Sequence, residues 1–393
     1  MLYLHIPYCK RACTYCNFHF STNQRGRGEM VTAIAKELRV RAVEAAVFPV
    51  TGQGGLPSVY LGGGTPSLLT SEELSLLFNT IIEHYTLLPG AEITLEANPD
   101  DLDDAGLAKL AASPVNRLSI GLQSFAEADL RFFGRAHTAA EARSCLDRAR
   151  LAGFDDLSVD LIYGSPTTPD AVWLENLQRV IDSGVPHVSA YALTVEEKTA
   201  LAHRVKTGAV TAPTEERFAR QFDLLVDRLT AAGYEHYEIS NFALPGRYSR
   251  HNTAYWQGTP YLGIGPAAHG FDGHAERRWN VSNNAHYVQQ WQDIADHADY
   301  QRREHLLFER ETLSDRDRYN EFVMTGLRTR WGVSSADLSK KFGPAAADYF
   351  HDQTAAARAT GELLLDKKNT YILTPAGRRR ADGIASNAFM LDE

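Results

Sequence analysis

Cys9, Cys13 and Cys16 stand within eight residues of one another, in the run Tyr3-Leu-His-Ile-Pro-Tyr-Cys-Lys-Arg-Ala-Cys-Thr-Tyr-Cys-Asn-Phe18. Three thiolates can hold three irons of a [4Fe–4S] cluster and leave the fourth iron open to a substrate or cofactor. Structural zinc is the rival reading. It takes four ligands, commonly as two spaced pairs, and His5 or His19 could supply the fourth. A disulfide framework fits poorly, because the chain has one further cysteine, Cys145, and no secretory signal ahead of its first apolar run. Cys145 sits in a helical pattern and reads as a small core residue. Reduced thiols and the missing signal predict a cytoplasmic location, with membrane association only through a partner.

Other residues able to do chemistry recur at similar places along the first half of the chain. Gly62-Gly63-Gly64-Thr65-Pro66 and Gln123 follow short apolar runs, Glu96 ends one, and Asp160 lies within one, just before Gly164. Glycines let a backbone approach a ligand with no side chain in the way. Carboxylates such as Glu96 and Asp160 accept hydrogen bonds from amino or hydroxyl groups. Further on stand His251-Asn-Thr-Ala-Tyr-Trp256 and Gly263-Ile-Gly-Pro-Ala-Ala-His269.

The elements that must position these residues follow from periodicity. Strands are predicted at 2–6, 58–61, 92–97, 117–120, 157–162 and 187–191, with helices over 29–47, 71–84, 103–112, 138–152 and 169–183 between them. Ser71 and Thr138 read as N-caps, the latter with Glu141 in a capping box. Six strands alternating with helices predict βαβ units on a parallel sheet, whose right-handed crossovers curl it into a partial (β/α)6 barrel. A further helix over 215–232 and a strand over 237–239 extend the array. A complete eight-stranded barrel would need two more units, and in such folds the site lies at the carboxyl ends of the strands. That rule gathers the cysteines, the glycines and the polar residues into one ring of loops.

Beyond residue 240 the chain becomes rich in glycine and aromatics, and beyond 303 it becomes helical, with runs at 316–329, 335–342 and 345–360. A hairpin signal follows around Lys367-Lys-Asn369. Three parts are expected: a barrel at 1–240, an extension at 241–302, and a smaller, mainly helical, winged-helix-like domain at 303–393. The composition, 44% hydrophobic and 23% charged, is that of a folded globular protein. A net charge of −9 argues against nucleic-acid binding, and Arg378-Arg379-Arg380 reads as a solvated helix face. No apolar stretch reaches the roughly 20 residues of a membrane span.

With these residues in hand, the chain resembles the radical S-adenosylmethionine (SAM) enzymes, in the coproporphyrinogen-oxidase-like branch and its HemW heme-chaperone subgroup. YLHIPYCKRACTYCNF, YLGGGTPSLL, ITLEANPDDL, NRLSIGLQSF, DLIYGSP, HVSAYALTVE, YEISNFALPG, HNTAYW and YLGIGPAAHG carry the resemblance in order along nearly the whole chain. It implies a [4Fe–4S] cluster on Cys9, Cys13 and Cys16, with SAM chelating the open iron and cleaved to a 5′-deoxyadenosyl radical. It also implies roles for individual residues. Gly63, Gly64 and Thr65 would line the methionine end of SAM. Arg135 would clamp its carboxylate, Gln123 would bond its ribose, and Glu96 and Asp160 would accept from it. Tyr3 and Tyr15 would pack by cluster and cofactor, Ala192 would line the adenosyl site, and His269 would contact SAM or heme. His251, in the subgroup's HNxxYW motif, would bind heme beside Tyr255 and Trp256. His5 and His137 read as structural.

Two departures from the oxidases bear on activity. Those enzymes carry a further cysteine two residues after the third, where this chain has Asn17 and Phe18. They also carry an N-terminal extension, whereas the motif here begins at Tyr3. Both features disfavour decarboxylation of coproporphyrinogen III. The expectation is a heme carrier that delivers heme to apo-proteins such as respiratory cytochromes, served by an electron donor for its cluster. A porphyrinogen-modifying radical enzyme is the alternative. A cluster near an exposed N-terminus would favour a homodimer.

Overall fold

The computed structural model describes residues 1–47 and 54–391, apart from the side chains of Ala46 and Val47. The alternation read from the sequence is present: β1 (Leu2–Ile6), α1 (Arg27–Val47), β2 (Leu56–Gly63), α2 (Ser71–His84), β3 (Leu87–Ala97), α3 (Asp104–Ala111), β4 (Arg117–Gln123), α4 (Glu127–Phe133), α5 (Ala139–Leu151), β5 (Leu157–Tyr163), α6 (Asp170–Ser183) and β6 (His187–Ala192). The six strands pair in sequence order, all parallel. After α7 (Ala200–Lys206) and α8 (Glu215–Ala231), the antiparallel pair β7 (Glu235–Glu238) and β8 (Asn241–Ala243) extends the β6 edge. Past α9 (Arg250–Trp256), β9 (Leu262–Ile264) adds a parallel strand beside β1. The segment after residue 240 thus supplies an edge strand of the sheet.

The two faces of the sheet differ in chemistry. Leu4, Leu61, Leu95, Leu118, Val159 and Val188 point toward the helices and are fully buried in one hydrophobic core. The alternate positions, including Tyr3, Tyr60, Arg117, Ser158 and His187, line an internal chamber of about 230 Å³. Side chains of β1 and β6 reach the same chamber, so the sheet is curled into a partial barrel. Period-two alternation gives the barrel an apolar outside, covered by helices, and a polar inside.

Local chemistry fixes the helix starts. Thr138 and Glu141 form the expected capping box on α5. On α2 the cap is Thr70, paired with Glu73, and Ser71 is the first helical residue instead. Thr70 is one residue earlier than the expected cap because its side chain reaches the Glu73 N–H. The expected helix over 345–360 is two helices, Pro344–Gln353 and Ala355–Ala359, meeting at Thr354.

β10 (His269–Phe271), β11 (Glu276–Asn280) and β12 (Phe308–Thr312) form a second, antiparallel sheet. The C-terminal region has its own core around Tyr319, Leu327, Phe350, Tyr371 and Ile384. Its hairpin strands, Leu363–Leu365 and Thr370–Leu373, pair with each other, and Thr370–Leu373 pairs on its other side with Val333–Ser334. This region meets the barrel where Arg378 Nη1 donates to the His236 carbonyl (2.7 Å) and the Arg330 N–H donates to the Tyr237 carbonyl (2.9 Å). No helix among the described residues is long and apolar enough to cross a membrane.

Candidate functional site

The loops at the carboxyl ends of β1 to β6 surround a cavity of about 510 Å³, within the roughly 300–1,000 Å³ typical of ligand sites. Cys9, Cys13, Tyr15 and Cys16 form one wall of it. The cysteine loop is held from several sides. The Cys9 N–H donates to the Ser21 carbonyl (3.1 Å), the Thr14 N–H to the Phe133 carbonyl (2.9 Å), and the Leu201 N–H to the Thr14 carbonyl (2.7 Å). Tyr15 packs edge-on against Phe133.

Gly63, Gly64 and Thr65 line the cavity beside the cysteines. The glycines are required by what lies behind them. A Cβ on Gly64 would come within 2.5 Å of the Tyr8 carbonyl oxygen, and Gly63 (φ 105°) has the His5 ring against it. The Gly64 and Thr65 N–H groups donate to the carbonyls of Ile6 and Tyr8. The glycine turn therefore seats the cysteine loop as well as facing the cavity.

Charged groups line the same cavity, and Arg135 touches the cysteines directly. Arg135 donates to Cys13 Sγ (3.4 Å), to the Gly121 carbonyl (2.8 Å) and to Asn98, while its buried Nε has no partner. Glu96 accepts from Tyr60 OH (2.8 Å) and from the Gly63 N–H (3.1 Å). Burial away from bulk water, reinforced by nearby Asp160, pushes Glu96 up to about 7. Burial likewise raises Asp160 to about 6, against hydrogen bonds from Ser189 and Ser119 that favour its charged form. Cys9 is raised to about 11 by burial, against a hydrogen bond with Thr65, and burial raises Cys16 too. Gln123 lines the cavity at a φ of 67°, backbone strain of the kind that collects at functional sites. Ala192 completes the set at the end of β6.

Three of the expected residues lie elsewhere. Tyr3 faces the inner chamber, stacked on Tyr60 and bonded through its hydroxyl to His5 Nδ1 (3.2 Å). His269 is exposed on β10, its ring stacked on Trp279 at 5.6 Å. His251 is 1% exposed. Its Nδ1 bonds Ser58 Oγ (2.8 Å) and its Nε2 bonds Tyr255 OH (3.1 Å), so neither ring nitrogen is available to an iron in this conformation. Burial lowers it to about 3, which keeps the imidazole neutral. The expectation of a heme ligand at His251 therefore meets a histidine enclosed in the barrel floor.

The zinc alternative finds no support in the geometry. The two histidines that could complete a zinc site are engaged elsewhere. His5 Nε2 bonds the His19 carbonyl (2.8 Å), and His19 Nε2 bonds Asn284 Oδ1 (2.7 Å). His137, bonded to the Leu122 carbonyl, and buried Cys145 occupy structural positions. A three-thiol wall facing a guanidinium with an orphaned donor and two carboxyl groups fits a cluster together with a zwitterionic, hydroxylated cofactor.

Sequence reasoning passed over Asn98, Ser119, Gly121, Tyr191 and Glu196, which also line the cavity. Asn98 and Ser119 were findable: one follows Glu96 at a spacing of two, and the other lies opposite it on β4. Tyr60, the partner of Glu96, stands on the inward register of β2.

Comparison with known proteins places these features in context. Residues 3–180 match the model described as Radical SAM superfamily, and residues 313–380 match the HemN C-terminal domain. Over 292 residues the chain is 38% identical to the heme chaperone HemW of Mycobacterium tuberculosis, covering 73% of each. Over 391 residues it is 32% identical to the heme chaperone HemW of Lactococcus lactis, covering 100% of this chain and 97% of the relative. A mouse mitochondrial protein, radical S-adenosyl methionine domain-containing protein 1, is 38% identical over 270 residues, 68% of this chain and 60% of that one. Among solved structures, the Escherichia coli coproporphyrinogen III oxidase HemN aligns with a TM-score of 0.81 over 99% of this chain and 89% of that one, at 23% identity, a likeness of fold.

Proposed function

Because the chain belongs to the radical SAM superfamily and, within it, to the HemW family, we propose that it is a heme carrier built around a [4Fe–4S] cluster and SAM. Cys9, Cys13 and Cys16 would hold the cluster, with the fourth iron facing the cavity. Arg135 would pair with the carboxylate of SAM through its free Nε–H edge and at the same time offset thiolate charge at Cys13. Glu96 and Asp160 would accept from its amino and hydroxyl groups, with Gln123 beside them. When bound together, cluster and SAM supply one-electron chemistry, and an electron donor is part of this reading.

The observation that carries the proposal is the meeting of the three cysteines with Arg135, Glu96 and Asp160 around one cavity at the carboxyl ends of the strands. The heme part rests on what the HemW relatives are named for and on GIGPAAHG; of the two motif histidines, His251 and His269, the exposed His269 is the one a porphyrin can reach, and we assign the axial ligand to it. Asn17 and Phe18 replace the further cysteine of the oxidases, which weighs against decarboxylation. The carried heme would pass to an apo-hemoprotein.

Anaerobically reconstituted protein titrated with heme and with coproporphyrinogen III tests the proposal. Stoichiometric heme binding with a shifted Soret band, and no decarboxylation, is the expected result. Turnover to protoporphyrinogen IX would overturn it in favour of the oxidase reading.

A further inference from the structure

The HNxxYW segment is a short helix, α9, closing the end of the barrel opposite the cysteines. Its start is fixed by Glu92 of β3, which accepts from the Arg250 N–H (2.8 Å) and the His251 N–H (3.0 Å). That anchor turns the His251 ring into the inner chamber, where Ser58 and Tyr255 hold its two nitrogens. Inside the chamber the His251 ring lies against the Tyr60 ring, with centroids 5.1 Å apart. Tyr60 then donates its hydroxyl to Glu96 Oε1. Glu96 is shared: it lines both the inner chamber and the cysteine-walled cavity.

A continuous set of contacts therefore runs from the motif helix to a carboxyl group facing the cysteines. Its first member has no route to a porphyrin in this conformation. We infer that His251 is a positioning residue for the SAM site, holding Tyr60 so that its hydroxyl fixes Glu96, and is not a heme-iron ligand. The inference rests on the assignment of SAM to the cavity. It gives the motif a role in the same protein without asking a buried, doubly bonded imidazole to leave its place. Tyr60 is confined by Tyr3 stacked on it from β1 and by His251 from α9. Removing the imidazole opens space on one side of the ring and frees the hydroxyl to leave Glu96.

The test uses the full-length reconstituted protein and follows SAM affinity, heme affinity and iron content separately. His251→Ala is expected to weaken SAM binding about tenfold, the scale of a lost hydrogen bond to a charged group. Heme affinity and iron content are expected to stay at the wild-type level. Tyr60→Phe is expected to match that loss, and the double variant to add less than about twofold to it, because both act on one contact. His251→Gln, which keeps hydrogen-bonding capacity and most of the volume, is expected to restore most of the affinity. Heme binding lost with SAM binding kept would overturn the inference, as would equal loss of both or full additivity. If His251→Ala fails to fold, Tyr60→Phe and His251→Gln decide it, and SAM binding unchanged in Tyr60→Phe overturns it. Wild-type protein that binds no SAM would instead refute the cavity assignment on which the inference stands.

Discussion

At the scale of single residues, burial and charge set the behaviour of the site. Each of Cys9→Ala, Cys13→Ala and Cys16→Ala is expected to abolish the reconstituted cluster, measured as iron and acid-labile sulfide. A full cluster in any one variant contradicts the ligand set. Glu96 and Asp160 are held at about 7 and about 6, above the ordinary carboxyl range. The folded state binds these protons more tightly than the unfolded chain, so their stabilising effect is present below about pH 4 and is lost as pH rises through about 6 to 7. Cofactor-free Glu96→Gln is therefore expected to be more stable than wild type at pH 7.5, by about 1–2 kcal/mol after allowing for water in the cavity. The gap closes near pH 5, as thermal unfolding at the two pH values would record. The same variant is expected to bind SAM more weakly, and equal stability at pH 7.5 would contradict the burial argument. The cysteines, Arg135, Glu96 and Asp160 were legible as site residues because their types are costly to place without a reason. The enclosure of His251 was not, since it depends on Ser58 and Tyr255 being brought to its two nitrogens by the fold.

At the scale of elements, the turns decide whether the residues meet. Gly64→Ala is expected to destabilise the protein by on the order of 1–3 kcal/mol and to lower cluster content, because the new Cβ strikes the Tyr8 and Ile6 backbone that carries the cysteine loop. Unchanged iron content would contradict that seating role. Strand positions were largely readable, since each buried outer face is an apolar run with period-two partners. Strand ends were less so: β3 begins at Leu87 and passes through Pro89 and Gly90, residues that argue locally against a strand. Helix α9 was invisible to periodicity because seven residues show too little of it. Its anchor, Glu92, lies more than 150 positions away in sequence. The Thr138 cap was legible for the opposite reason, as its partner Glu141 is three residues on.

At the scale of the whole molecule, the barrel separates its two ends. The cysteine-lined mouth faces one way, the HNxxYW helix closes the other, and a polar interior joins them through Glu96, Ser119, Asp160 and Tyr191. The six-strand alternation could be read from the chain. A strand over 237–239 was readable as an extension of the array, and β7 lies there, at Glu235–Glu238; its partner β8 and the addition of β9 to β1 were not, because three-residue strands carry almost no pattern of their own. The C-terminal region packs on the β7 edge, through Arg378 and Arg330, away from the cysteines in sequence and in its own core. The central claim is that three cysteines hold a cluster whose open iron faces a SAM site. Electron paramagnetic resonance of the reduced, reconstituted protein with and without SAM tests it most directly. The account predicts a [4Fe–4S]⁺ signal that changes on adding SAM in wild type and changes far less in Glu96→Gln. A cluster signal indifferent to SAM in wild type, or zinc in place of iron and sulfide, would contradict it.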